Sequence, residues 1–91
     1  MATATMIVRH QVADYAAWRA VYDTVEDLRQ QYGCSGAEVL VGPDNKEDVF
    51  VLHRFPTLEE AKGFAGSDDL RDAMQRAGVA GPPRIEFAVE A

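Results

Sequence analysis

Met6-Ile7-Val8-Arg9-His10-Gln11-Val12-Ala13-Asp14-Tyr15-Ala16-Ala17-Trp18-Arg19 decides the fold of this chain. Met6 to Val12 alternates and is rich in β-branched residues, the pattern of a strand with one buried face. Asp14 then offers an N-cap. Beyond it the period changes: Trp18, Val21, Tyr22, Val25, Leu28 and Tyr32 fall on one stripe of a helix predicted over 15–32. Gly33 is placed to end that helix.

Working outward, Ala37 to Val41 reads as a second strand, and Gly42-Pro43-Asp44-Asn45 as a turn. Val49 to Phe55 is a third strand, stopped by Pro56. Thr57-Leu58-Glu59-Glu60 has the spacing of a capping box. The helix it opens is interrupted by Gly63 and Gly66, restarts at Ser67-Asp68-Asp69, and presents Leu70, Ala73, Met74 and Ala77 on one face. After Gly78, the Gly81-Pro82-Pro83 segment reads as a rigid lead-in to a last strand from Ile85 to Val89. The order is βαββαβ: one α+β domain over residues 1–91, of ferredoxin-like type, with a four-stranded antiparallel sheet and its helices on one face. The first and third strands are expected to be central neighbours running parallel.

The strands sort their residues by face. Met6, Val8, His10 and Val12, with Val49, Val51, His53 and Phe55, form a face that is apolar apart from its two histidines; Ile85, Phe87 and Val89 join it. The helices are expected there. The other face mixes Leu40, Phe50 and Leu52 with Arg9, Arg54, Glu38 and Glu86, more apolar than a solvated face. It suits sheet-to-sheet pairing of two copies, with ion pairs at the rim.

Composition narrows the function. The chain has 91 residues, 47% of them hydrophobic and 26% charged, as in an ordinary globular domain. A domain of this size buries only roughly 60–65% of its unfolded surface, so a dimer interface would add needed stability. Fifteen acidic against nine basic residues give a net charge of −6, and the basic residues are scattered. That argues against nucleic-acid partners and anionic membrane surfaces. Cys34 is alone, so neither an internal disulfide nor a CxxC site is available. It follows a predicted helix C-terminus, where the dipole disfavours a thiolate. Met1-Ala2-Thr3-Ala4-Thr5 lacks a charged region followed by a long apolar run, so no signal peptide is expected and the cytoplasm is the expected location.

His10 and His53 are the leading catalytic candidates. Both sit toward the C-terminal ends of their strands on the helix-facing side, and imidazole gives or takes a proton near neutral pH. The alternative is that each is a core histidine bonded to a backbone carbonyl or a tyrosine. Neither HxH nor HExxH is present to supply a third ligand, so no metal is expected. Tyr22, one turn after Trp18, is the candidate partner for His10. Trp18 offers a wall for a flat ligand, although aromatics at this spacing also serve as plain core. Arg29, at i+7 from Tyr22, is placed to bind a carboxylate or enolate, or else to snorkel at the surface. Phe87 joins Trp18 and Arg29 as a substrate-contacting candidate.

The βαββαβ order, the run His10-Gln11-Val12 before Asp14-Tyr15-Ala16-Ala17-Trp18-Arg19, and the closing Leu70 to Pro83 segment together resemble the small dimeric α/β-barrel proteins, in particular the antibiotic biosynthesis monooxygenases and the ferredoxin-like polyketide cyclases. The resemblance implies a homodimer with a small-molecule pocket between sheet and helices in each subunit, and, in many members, chemistry without metal or flavin. It also implies a Trp and an Asn in the pocket of the cofactor-free anthrone oxygenases. Here Trp18 lies on the first helix, and the sole asparagine, Asn45, falls in a hairpin turn. The expected function is therefore a cofactor-independent enzyme working by His acid/base chemistry on a small aromatic or polyketide-like molecule, as a cyclase, isomerase or monooxygenase. The rival expectations are a non-catalytic module binding a small hydrophobic ligand, and a structural or stress-associated dimer. Gly78 to Pro83 is expected to rim or cover the pocket.

Overall fold

A computed structural model describes residues 3–91; Met1 and Ala2, where the reading for a signal peptide begins, lie outside the described residues. The elements run β1 (Ala4–Val12), α1 (Tyr15–Thr24), α2 (Glu26–Gln31), β2 (Gly36–Val41), β3 (Asp48–Phe55), α3 (Leu58–Ala65), α4 (Asp68–Arg76) and β4 (Val79–Val89). The sheet is ordered β2-β3-β1-β4, and every neighbouring pair is antiparallel. This is the ferredoxin-like α+β fold; the first predicted helix is split in two, and the second is interrupted at Gly66 and restarts after Ser67 as expected, with Gly63 inside α3.

The parallel pairing of the first and third strands is overturned. β1 and β3 are antiparallel, with His10 opposite Val49 and His53 opposite Met6. A right-handed crossover makes β2 parallel to β1, and the hairpin that follows reverses β3. Two residues near the C-terminal ends of antiparallel neighbours lie toward opposite ends of the sheet. About four residues, or ~13 Å of strand, separate the backbone positions of the two histidines.

The alternation sorts the faces as expected. Met6, Val8, Val49, Val51 and Phe55 are buried beneath the helices, joined by Trp18 from α1 and by Ala61 and Phe64 from α3. On the opposite face Ile7, Phe50 and Leu52 are half-buried and Leu40 is 51% exposed. Ion pairs Arg9–Asp48 (2.9 Å), Arg54–Glu38 and Arg84–Glu86 (3.2 Å) border them, and the Arg9 guanidinium lies over the Phe50 ring.

The single helix predicted over 15–32 breaks at Val25, whose backbone leaves helical geometry (φ −107°, ψ 21°). The Thr24 hydroxyl donates to the Val21 carbonyl (2.7 Å), a local bond that competes with the helix. The Tyr22 carbonyl accepts from the Val25 N–H at 3.2 Å and from Arg29 Nη1 at 2.9 Å. The arginine thus fills the break. Asp14 occupies the N-cap position of α1 but makes no side-chain cap bond. Thr57 does cap α3, accepting from the Glu60 N–H at 3.2 Å; the Glu60 carboxylate in turn accepts from the Thr57 hydroxyl rather than reaching its backbone. Ser67 caps α4 in the same way.

β4 begins at Val79, well before the expected Ile85, so Gly81-Pro82-Pro83 is neither lead-in nor cover. Arg84 pairs with Arg9 and Ala80 with Gln11, which sets Gly81, Pro82 and Pro83 against His10 alone. Two prolines have no N–H for the ladder, and Gly81 takes φ +76°. The strand therefore bulges beside His10.

Candidate active site

A cavity of about 40 Å³ lies between the helix-facing side of β1 and β3 and the helices, walled by Trp18, Tyr22 and Leu28 on one flank and by Phe64, Leu70 and Met74 on the other. His10, His53 and Arg29 also line it. Strand alternation brings both histidines to this side, and the helical stripe of α1 brings Trp18 and Tyr22 over them.

The rings form a continuous chain. His10 lies against Trp18 with centroids 5.6 Å apart. Trp18 stacks on Tyr22 at 4.8 Å with planes 19° apart. Tyr22 approaches His53, its hydroxyl 3.1 Å from His53 Nε2. His53 meets the Phe64 ring edge-on at 5.5 Å. Tyr22 is thus the partner of His53, and the expected pairing of Tyr22 with His10 is not formed. The antiparallel register is the cause, since it sets His10 beside Trp18, one turn earlier on α1.

His10 and His53 are 6% and 4% exposed. Both nitrogens of His10, and Nδ1 of His53, are buried without a hydrogen-bond partner among the described residues. The core-histidine alternative, with each ring bonded to backbone or tyrosine, therefore describes His53, through Tyr22, and not His10. An unpaired buried polar group costs about 1–3 kcal/mol.

Burial lowers the pKa of both histidines. For His53 the Arg29 charge and His10 add to burial and bring it to about 4. For His10 the carboxylate of Asp48 works against burial. Burial raises the Tyr22 pKa, with Arg29 opposing. At neutral pH the cavity presents neutral imidazoles and a neutral phenol.

Arg29 is only 8% exposed, so it does not snorkel. Its Cζ lies 4.0 Å from the Tyr22 ring centroid, a cation–π contact, and no carboxylate among the described residues pairs with it. Phe87 is not brought to the cavity. It has the expected face, opposite Met6, but stands on edge strand β4 and is 37% exposed. No group of three His, Cys, Asp or Glu side chains suited to a metal ion occurs among the described residues, and no described helix is long and apolar enough to cross a membrane.

No protein-family model and no curated protein sequence matches the chain. Its fold, in contrast, matches solved structures over nearly full length. A protein from Bordetella bronchiseptica assigned as an antibiotic biosynthesis monooxygenase superposes with a TM-score of 0.85 at 15% identity, over 100% of this chain and 99% of that one. NE2512 from Nitrosomonas europaea, of unknown function, gives 0.76 at 17% identity, over 99% and 90%. SnoaB from Streptomyces nogalater, a cofactor-independent oxygenase, gives 0.73 at 10% identity, over 100% and 93%. The chain has the fold of the antibiotic biosynthesis monooxygenase-like α/β proteins, a fold that also carries proteins without an assigned reaction.

Proposed function

We propose that this protein is a cofactor-independent enzyme that removes a proton from a carbon acid, a small planar aromatic or polyketide-like molecule, in the cavity between sheet and helices. The observation that carries this reading is His10: both ring nitrogens are buried against the cavity and unpaired, at a cost that a substrate group bonded there recovers. Likeness of fold to an oxygenase that uses no cofactor supports the same class.

His10 is neutral at working pH, so it can accept a proton without first losing one. The substrate C–H bond breaks, the proton passes to a ring nitrogen of His10, and the electron pair remains as an enolate. Asp48 favours the imidazolium that results. Arg29, behind Tyr22, favours negative charge on the substrate oxygen. Two completions follow from one enolate. In a cyclase its carbon attacks a carbonyl of the same molecule and the new alkoxide takes the proton. In an oxygenase molecular oxygen accepts its electrons, and a CH₂ becomes C=O with loss of water.

A cavity of 40 Å³ is far below the ~300–1,000 Å³ that encloses drug-sized molecules. Substrate binding must widen it, and the flexible Met74 and Leu70 wall on α4 is the part suited to yield. The working unit in this reading is a cytoplasmic homodimer joined through the open sheet face, where Ile7, Phe50 and Leu52 stay half-buried.

The test is turnover of a panel of anthrones and reactive poly-β-ketones, with oxygen uptake and product masses followed for wild type and His10→Ala. Oxygen uptake that the mutant loses supports the oxygenase completion; product without oxygen uptake, again lost in the mutant, supports the cyclase. Rates at the uncatalysed level for both proteins contradict the enzyme reading and favour a module that only holds its ligand.

A further inference from the structure

The larger open space in this protein is not the cavity. A cleft of about 640 Å³, walled by α1, α2, the segment leading into β2 and the first half of β2 itself, lies on the other side of Tyr22 and Arg29, which line both spaces. Its volume falls in the range of small-molecule sites. Arg19, Asp23, Gln30 and Ser35 make it polar.

Two arginines and two carboxylates line it, but Arg29 is in no ion pair among the described residues. Arg19 is committed to Asp23 at 3.0 Å. Glu26, on the rim, is exposed and forms no ion pair with Arg29. Arg29 is more than nine-tenths buried, yet of its five donors only one N–H is used, on the Tyr22 carbonyl. No Arg29 nitrogen is among the buried unpaired side-chain atoms of the described residues, so the N–H groups that Tyr22 does not use open onto the cleft that Arg29 lines, and their planar fork matches a carboxylate in two-point contact.

We propose that this cleft is a carboxylate-binding subsite in which Arg29 holds the acid group of an aromatic or polyketide carboxylate. This deepens the functional reading above and rests on it for the ligand's ring system; it narrows the substrate class to acids. Tyr22 and Arg29 line both spaces, so an acid on Arg29 sets the adjoining part of the ligand against Tyr22, at the border of the inner cavity.

The experiment is direct binding, not turnover. Calorimetry compares 2-naphthoate with its neutral amide on the wild-type protein, and amide NMR shifts follow the location. Naphthoate should bind about 10-fold or more tightly than the amide, the worth of a charge-assisted bond, with shifts concentrated at residues 34–39 and 26–30. Because Arg29 also fills the helix break, its replacement risks misfolding. Ala37→Asp, on an exposed strand position lining the cleft, instead supplies an internal carboxylate and should abolish naphthoate binding while leaving circular dichroism unchanged. Equal binding of acid and amide, binding unaffected by Ala37→Asp, or no binding of either would overturn the proposal. Wild-type protein that binds naphthoate but turns over no member of the anthrone and poly-β-ketone panel contradicts the enzyme reading and not the subsite.

Discussion

The Tyr22 hydroxyl and His53 Nε2, 3.1 Å apart, form the only side-chain hydrogen bond made by either histidine among the described residues. It joins α1 to β3 across the interior. It also separates the roles of the two histidines. His53 is tied and strongly desolvated; His10 is unpaired.

Tyr22→Phe removes the hydroxyl and leaves His53 with both nitrogens unsatisfied. A loss of about 1–3 kcal/mol is expected, read from urea denaturation. Tyr22→Phe/His53→Leu, which removes both polar partners, should recover part of it. The double-mutant cycle gives the coupling between them.

His53 makes stability depend on pH. Its pKa is about 4 in the folded protein and near 6.5 in an unfolded chain. Between those values the unfolded state binds more protons, so stability rises with pH there and is lost as pH falls from about 6.5 to 4. The loss is on the order of 3 kcal/mol from this residue, with His10 acting in the same direction. Denaturation midpoints at pH 7, 5.5 and 4.5 should fall steadily for wild type and less steeply for His53→Leu.

Gly33 follows α2 at φ +92°, and a Cβ there would run into the Glu60 carboxylate. Gly81 has φ +76° but open space around it. Gly33→Ala should cost about 1–3 kcal/mol through strain, plus displacement of Glu60 from its bond with Thr57. Gly81→Ala should cost less. Thermal melts of the two variants check the order.

Much of this was legible in the sequence. Alternation in Met6–Val12 and Val49–Phe55 assigned both histidines to the helix side, and Thr57 announced its cap. Long-range direction was not legible: the strand run containing His53 looks the same whichever way it lies beside Met6–Val12, so the sequence did not reveal that Tyr22 meets His53 while His10 lies against Trp18. The break at Val25 depends on the Tyr22 carbonyl gaining Arg29 as a second donor, a contact between residues seven apart that helical periodicity does not reveal. Pro82-Pro83 reads as punctuation between elements, yet here it sits inside an edge strand at a bulge. Phe87 had the right face, but periodicity carries no information about how far the helices extend over the sheet.

The open sheet face should join two copies. Leu52→Glu places a charge among Ile7, Phe50 and Leu40 without touching the helix-side core. Sedimentation equilibrium at micromolar concentration is expected to give a dimer for wild type and a monomer for the variant; a monomeric wild type removes the dimer from the account.

The most direct measurement of the central claim isolates proton removal from whatever follows it. An anthrone is incubated without oxygen in D₂O, and deuterium entering its acidic CH₂ is followed by NMR with wild type, with His10→Gln and with no protein. Wild type is expected to accelerate exchange and His10→Gln to lose ~10²–10⁴-fold of that acceleration, with its fold unchanged by circular dichroism. Equal exchange with wild type and His10→Gln would contradict His10 as the proton acceptor.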